Sequence, residues 1–212
     1  TTNFDLRKPN FVVIHHTAQN SCEQTLRTFT LERSKVSAHY VICKDGTIHH
    51  MLNDYMRAWH GGISKWGNNS DLNSSSIGIE LDNNGFEPFD SAQINSLLLL
   101  LAQLKENYKI PDANFIGHAD IAPKRKVDPN IQFPWILLAQ KGYGLWFEPD
   151  AKFSLPESIS IPFALAMVGY DIKDTTAALL AFKRHFRADS TAVVTENDRS
   201  VLFQLIQNKL SN

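Results

Sequence analysis

"FVVIHHTA", residues 11–18, runs a short apolar stretch into two adjacent histidines and a small polar turn. Phe, Val and Ile in succession read as a strand buried on both faces, the habit of parallel or mixed sheets covered by helices. His15 then falls where the strand runs out, and ligands in open α/β sheets collect at strand ends. Two imidazoles at such an end pose the question that the rest of the chain answers.

Working outward, "SCEQTLRTFTLER" begins with Ser21 three residues before Gln24, a capping-box pattern, and predicts a surface helix with Leu26, Phe29 and Thr30 on one face. "SAHYVICKDGTIHHML" sets two strand-like runs about Asp45-Gly46, a strong hairpin signal. "SIGIEL", residues 76–81, is another strand. Asp90 and Gln93 cap a helix through "SAQINSLLLLLAQLKENY", whose apolar residues nearly encircle it and so predict burial on more than one side. "NFIGH", residues 114–118, is the last strand, and "ADIAPKRKVDPNIQFPW", with three prolines, reads as an ordered loop. The fold class expected is α/β, a mixed central sheet with helices packed on it.

After Trp146 the composition changes. "FEPDAKFSLPESISIP" carries three prolines and little periodicity, and three helical patterns follow in "FALAMVGYDI", "TAALLAFKRHFR" and "DRSVLFQLIQNKL". The expected organisation is a main domain over 1–145, a linker over 146–158 and a small three-helix domain over 159–212, which by its size should lean on the main one.

The 212 residues are 43% hydrophobic, enough for a real core, and their net charge of −1 gives no basic field for nucleic acid or an anionic membrane. The longest apolar run, "INSLLLLLAQL", is about half the ~20 residues a membrane span needs. Cys22 and Cys43 lack metal-type spacing, which leaves a disulfide, free thiols or apolar fillers open. The chain begins with Thr1, so a leader removed from it is an open expectation.

Seven of the eight histidines lie at or before position 118, and two of them, His15 and His118, end strands. Asp128 follows His118 through a proline-containing loop, so two imidazoles and a carboxylate can converge at one sheet edge, the donor set of a catalytic zinc site with a position left for water. Hydrogen-bonded core histidines and a capping aspartate would give the same spacing. Glu80 alternates with Ile77, Ile79 and Leu81 in its strand; a lone carboxylate there is costly to bury, so it belongs to a site or an ion pair. Near a zinc site it could act as general acid and base. Lys126 could face an oxyanion, although composition alone makes it a solvated member of "KRK".

"VIHHTA", "SAHYVI..DGTI", "AWHGG", "SIGIEL" and "GHADIAPKRKVDP", in this order, resemble the zinc-dependent N-acetylmuramoyl-L-alanine amidases, especially the AmiD-like peptidoglycan amidases, and the three helical patterns of the tail resemble the peptidoglycan-binding module appended to them. The resemblance implies zinc ligands at His15, His118 and Asp128, a catalytic acid/base at Glu80 and a transition-state stabiliser at Lys126. It also implies a cleft lined by Trp59 and His60, with His16 shaping the site or hydrogen-bonding behind it. Ala38 stands where more distant relatives carry a tyrosine, so no tyrosine-assisted mechanism is expected. The implied reaction is hydrolysis of the amide between N-acetylmuramic acid and L-alanine, on peptidoglycan or muropeptides, in the periplasm or cell envelope; the sequence does not fix the oligomeric state, and a monomer is the expectation. The rivals are a peptidoglycan receptor without catalysis, which tends to lose a metal ligand, and a cytoplasmic muropeptide-recycling enzyme, for which a wall-binding tail has little use.

Overall fold

The computed structural model describes residues 1–3, 6–149 and 153–211, so the middle of the expected linker, 150–152, lies outside the described residues. Five strands form one sheet: β1 (Phe11–His16), β2 (Tyr40–Ile42), β3 (Ile48–His50), β4 (Ser76–Leu81) and β5 (Phe115–Gly117). Their order is β3-β2-β4-β1-β5. All neighbours are parallel except β2 and β3, the hairpin about Asp45-Gly46, where Gly46 takes a φ of +89°. The mixed α/β sheet expected from the sequence is the one observed.

The helices are α1 (Cys22–Thr30), α2 (Leu72–Ser75), α3 (Ser91–Tyr108), α4 (His118–Ile121), α5 (Trp135–Gln140), α6 (Ile161–Val168), α7 (Thr175–Arg187) and α8 (Glu196–Ser211). Ser21 caps α1 as its sequence predicts, its Oγ accepting the Gln24 N–H at 3.2 Å. Thr30, grouped with Leu26 and Phe29 on one face, is exposed, while Thr25 is fully buried. A disulfide between Cys22 and Cys43 ties α1 to the end of β2. Among the described residues no helix is long and apolar enough to cross a membrane.

The long helix α3 departs from its expectation twice. Its leucines do not encircle a buried cylinder: Leu97, Leu100, Leu101 and Leu104 are buried, while Leu99 is 73% exposed. At about 100° per residue, five consecutive leucines cannot all face one sheet. Asp90 makes no side-chain cap, and Gln93 instead is buried with its Nε2 donating to the carbonyls of Ile42 (2.8 Å) and Asp82 (3.1 Å). The Ile42 carbonyl also accepts the Asp82 N–H at 2.9 Å, so the amide adds a second bond there and gives the buried Asp82 carbonyl a donor, a bond that is costly to leave unmade. The segment after β5 also differs, since "HAD" and Ile121 wind into α4 rather than continuing as loop.

Two apolar layers sandwich the sheet. Val12, Ile14, Ile77, Ile79 and Leu81 point to the rear, against α3. Val13 and Ile116 point forward into a second cluster with Trp66, Leu72 and the tail helices, through Leu165, Val168, Phe182, Val201 and Leu205. Gly169, just after α6, shows how closely the tail approaches: a Cβ there would lie 2.6 Å from the Trp66 indole. Phe147 and Leu155 are also buried in this front layer.

Candidate metal centre and active site

The parallel register builds the site. His15 pairs with Glu80 on the neighbouring strand, and Ile14 pairs with Gly117, which puts His118 beside His15 as β5 ends. By alternation His15 and Glu80 share the front face with Val13, Ser76 and Gly78. Asp128 reaches the same point from the following loop, whose return is fixed by the Ala119 N–H donating to the Asp128 carbonyl at 2.8 Å.

His15 Nδ1 and His118 Nδ1 lie 2.9 Å apart, and each is 3.0 Å from Asp128 Oδ2. All three residues are buried. Glu80 Oε1 stands 3.9 Å from His15 Nδ1. These atoms form the floor of a cleft of about 380 Å³ whose walls include Thr28, Phe29, Trp59, Lys126 and Val127. Trp59 is half exposed at the rim.

The electrostatics follow from burial. Desolvation, with the charge of His118, lowers the His15 pKa to about 4, so the imidazole is neutral at physiological pH. Burial opposes charge on Asp128 as well, but the imidazoles of His118 and His15 set against its carboxyl outweigh it and hold the group far below the usual range. Glu80 is moved the other way, well above the ordinary carboxylate value, by desolvation and by the neighbouring Asp128, with Lys126 offsetting part of this.

The donor set fits a cation. His118 Nε2 faces the Gly61 carbonyl oxygen at 3.2 Å, which can only accept, so the ring proton sits on Nε2 and the Nδ1 lone pair turns into the cluster. There it meets a carboxylate oxygen and a second imidazole nitrogen. Such a convergence of lone pairs is stable when a positive ion lies between them. Two imidazoles and a carboxylate match the ligand preferences of zinc, and the Gly61 carbonyl supplies the outer hydrogen bond that metal-binding histidines usually make.

The remaining expected residues take distinct places. His60 borders the cleft from behind His15, with Nδ1 3.0 Å from His15 Nε2 and Nε2 3.1 Å from Ser76 Oγ, so both its nitrogens are engaged inside the protein. His16 also borders the cleft, but its Nδ1 is buried without a hydrogen-bond partner, so the hydrogen bond expected of it is not seen at that atom. Lys126 lies on the cleft wall.

Several supporting residues had no role in the sequence reading. Asn73 Oδ1 accepts the N–H groups of His60 (3.1 Å) and Gly61 (2.7 Å), and Arg125 donates to the Gly61 carbonyl at 3.1 Å, which together fix the loop carrying Trp59 and His60. Asp120 accepts from the Gly117 N–H (2.7 Å), His185 Nδ1 (2.7 Å) and the Tyr170 hydroxyl (2.9 Å), linking the tail to the turn that carries His118. A buried-polar reading of "ADI" and of the lone tail histidine was the only local signal available for that link.

With this geometry in place, comparison with known proteins decides the family. The family model described as N-acetylmuramoyl-L-alanine amidase matches residues 5–131. The chain belongs to the N-acetylmuramoyl-L-alanine amidase family. The amidase is 37% identical over 209 residues to N-acetylmuramoyl-L-alanine amidase AmiD of Escherichia coli K12, covering 83% of this chain and 74% of that protein. Its fold superposes on the AmiD structure solved with anhydro-N-acetylmuramic acid-L-Ala-D-gamma-Glu-L-Lys, with a TM-score of 0.86, 30% identity and coverage of 98% of this chain and 92% of the other. AmpDh3 of Pseudomonas aeruginosa in complex with anhydromuramic pentapeptide gives a TM-score of 0.87 at 28% identity, over 99% and 95% of the two chains. Both similarities include the tail helices of the amidase as well as its sheet.

Proposed function

We propose that this amidase is a zinc enzyme of the cell envelope that acts, as a monomer, on peptidoglycan or its muropeptides and hydrolyses the amide between the lactyl group of N-acetylmuramic acid and L-alanine. The observation that carries the reading is the convergence of His15 Nδ1, His118 Nδ1 and Asp128 Oδ2 beside Glu80 at one sheet end, in a chain of this family. The similar AmiD and AmpDh3 structures hold anhydromuramyl peptides, which supports the substrate class.

When bound by these three residues, zinc supplies a Lewis acid for the scissile carbonyl and lowers the pKa of water towards ~7. Glu80 takes the proton from the attacking water on its carboxylate, and the raised affinity of that carboxyl for protons lets it hold the proton until the alanine amine departs. Lys126, on the cleft wall, presents its ammonium to the charge growing on the carbonyl oxygen. Trp59 offers an apolar platform at the rim for the sugar or peptide. We assign residues 1–145 to the catalytic unit, 146–158 to the connection and 159–212 to a module that holds the enzyme on the wall.

The test is digestion of purified sacculi with product identification by mass, with and without a chelator. Release of stem peptides beginning with L-alanine, lost on chelation and restored by zinc, is expected. Binding to sacculi with no peptide release would leave a receptor in place of an enzyme.

A further inference from the structure

We infer that His60 and Ser76 are positioning residues that set the proton of His15, so that its Nδ1 is presented to the metal as a lone pair. The inference rests on the zinc reading above and goes beyond it, to residues that touch neither metal nor substrate in the scheme.

The argument follows protons along one line of contacts. The Ser76 hydroxyl meets the Leu72 carbonyl oxygen, and a carbonyl has no proton to give, so the hydroxyl donates there. Its single proton is thereby used. Ser76 Oγ can then only accept from His60 Nε2, 3.1 Å away, which places the His60 proton on Nε2 and leaves Nδ1 bare. His60 Nδ1 in turn can only accept from His15 Nε2, at 3.0 Å. The His15 proton therefore sits on Nε2, and Nδ1 faces His118 and Asp128 with its lone pair. The opposite ordering would direct the hydroxyl proton to His60 and leave the Ser76 and Leu72 oxygens facing each other with no proton between them.

The local fold is built around this line. Ser76 is fully buried at the start of β4, and Gly78, next on the same face, leaves room for the His60 ring. A Cβ on Gly78 would lie 2.4 Å from His60 Cγ. The ring is also fixed from its backbone, through Asn73 Oδ1. A histidine in the wrong tautomer must shift its proton before it can bind a metal, so an outer contact that fixes the tautomer strengthens the site, typically by 10–100-fold when judged by its removal.

The test uses the full chain and two readouts besides turnover: zinc affinity by competition with a chromophoric chelator, and the ¹⁵N resonances of the His15 ring in the metal-free protein. Wild type should show His15 protonated on Nε2. His60→Leu should weaken zinc binding by roughly 10–100-fold, and His60→Asn, which returns an acceptor oxygen near the Nδ1 position, should recover much of it. Ser76→Ala, a smaller change that covers the case of a poorly folding His60→Leu, should leave His15 as a mixture of tautomers and bind zinc more weakly than wild type. His15 protonated on Nδ1 in the metal-free wild type would overturn the inference. So would wild-type zinc affinity in both His60→Leu and Ser76→Ala, and a rise in KM alone in these variants would make His60 a substrate contact. A wild-type protein that binds no zinc at all would instead fail the zinc reading itself.

Discussion

The two faces of strand β4 carry opposite kinds of chemistry within six residues. To the rear, Ile77, Ile79 and Leu81 are fully buried against the leucines of α3. To the front, Ser76 gives an oxygen to His60, Gly78 gives space for its ring and an N–H to His39 Nδ1 (3.0 Å), and Glu80 stands beside His15. The rear face is interchangeable apolar volume, held by the hydrophobic effect. The front face has no such redundancy, because each polar group there is buried against a particular partner and costs free energy without it. The comparison teaches that one strand separates apolar packing from a buried polar cluster by side-chain parity alone, and substitutions on its two faces should therefore fail in different ways.

The largest effect is expected where the front face meets its neighbours. His118→Ala should abolish hydrolysis of muramyl peptide and leave well under one zinc per chain, measured by metal analysis on a protein whose circular dichroism is unchanged. Full occupancy in that variant would remove His118 from the ligand set. Glu80→Gln should keep zinc and fold but lose on the order of 10²–10⁴ in turnover, the range ascribed to general acid–base groups. Because a buried carboxylate is a cost to folding, its thermal midpoint should be no lower than that of wild type. Near wild-type turnover with zinc bound would place the proton transfer on another residue.

One position back along the strand, Ile79→Ala should do the reverse. It should cost about 2–5 kcal/mol in denaturant unfolding, the usual range for such a cavity, while turnover per folded molecule stays as it was. A selective fall in turnover would show that the two faces are coupled.

The smallest effect concerns pH. His39 is fully buried on the front face, and desolvation lowers its pKa from 6.5 to about 4. Below pH 6.5 the unfolded chain takes up a proton that the folded one refuses, so the stability from this group is complete above that pH and is lost as pH falls towards 4. Between pH 7 and pH 5 this amounts to about 2 kcal/mol. His39→Asn, which keeps an acceptor for the Gly78 N–H but does not titrate, should lose that part of the acid sensitivity in unfolding curves. Equal pH dependence in the two proteins would put the acid-sensitive step elsewhere.

The local pattern of the chain determined its strands, its hairpin and the rear layer, because period-two alternation in "SIGIEL" and a turn such as Asp45-Gly46 are properties of neighbouring residues. Family motifs added the identities of His15, His118, Asp128 and Glu80. What the sequence left undecided was pairing at a distance. The contacts of His15 with His118 and Asp128 span 103 and 113 residues, and only the register of β1 between β4 and β5 turns them into a triangle about 3 Å on a side. The same holds for His60 on Ser76, for Gln93 reaching past its cap to the strand-end carbonyls, and for His185 and Tyr170 closing on Asp120. Hydrophobic periodicity says which way a side chain faces and is blind to the polar atom it will meet, since a hydrogen bond depends on the position of one donor and one acceptor that only the packed chain brings together.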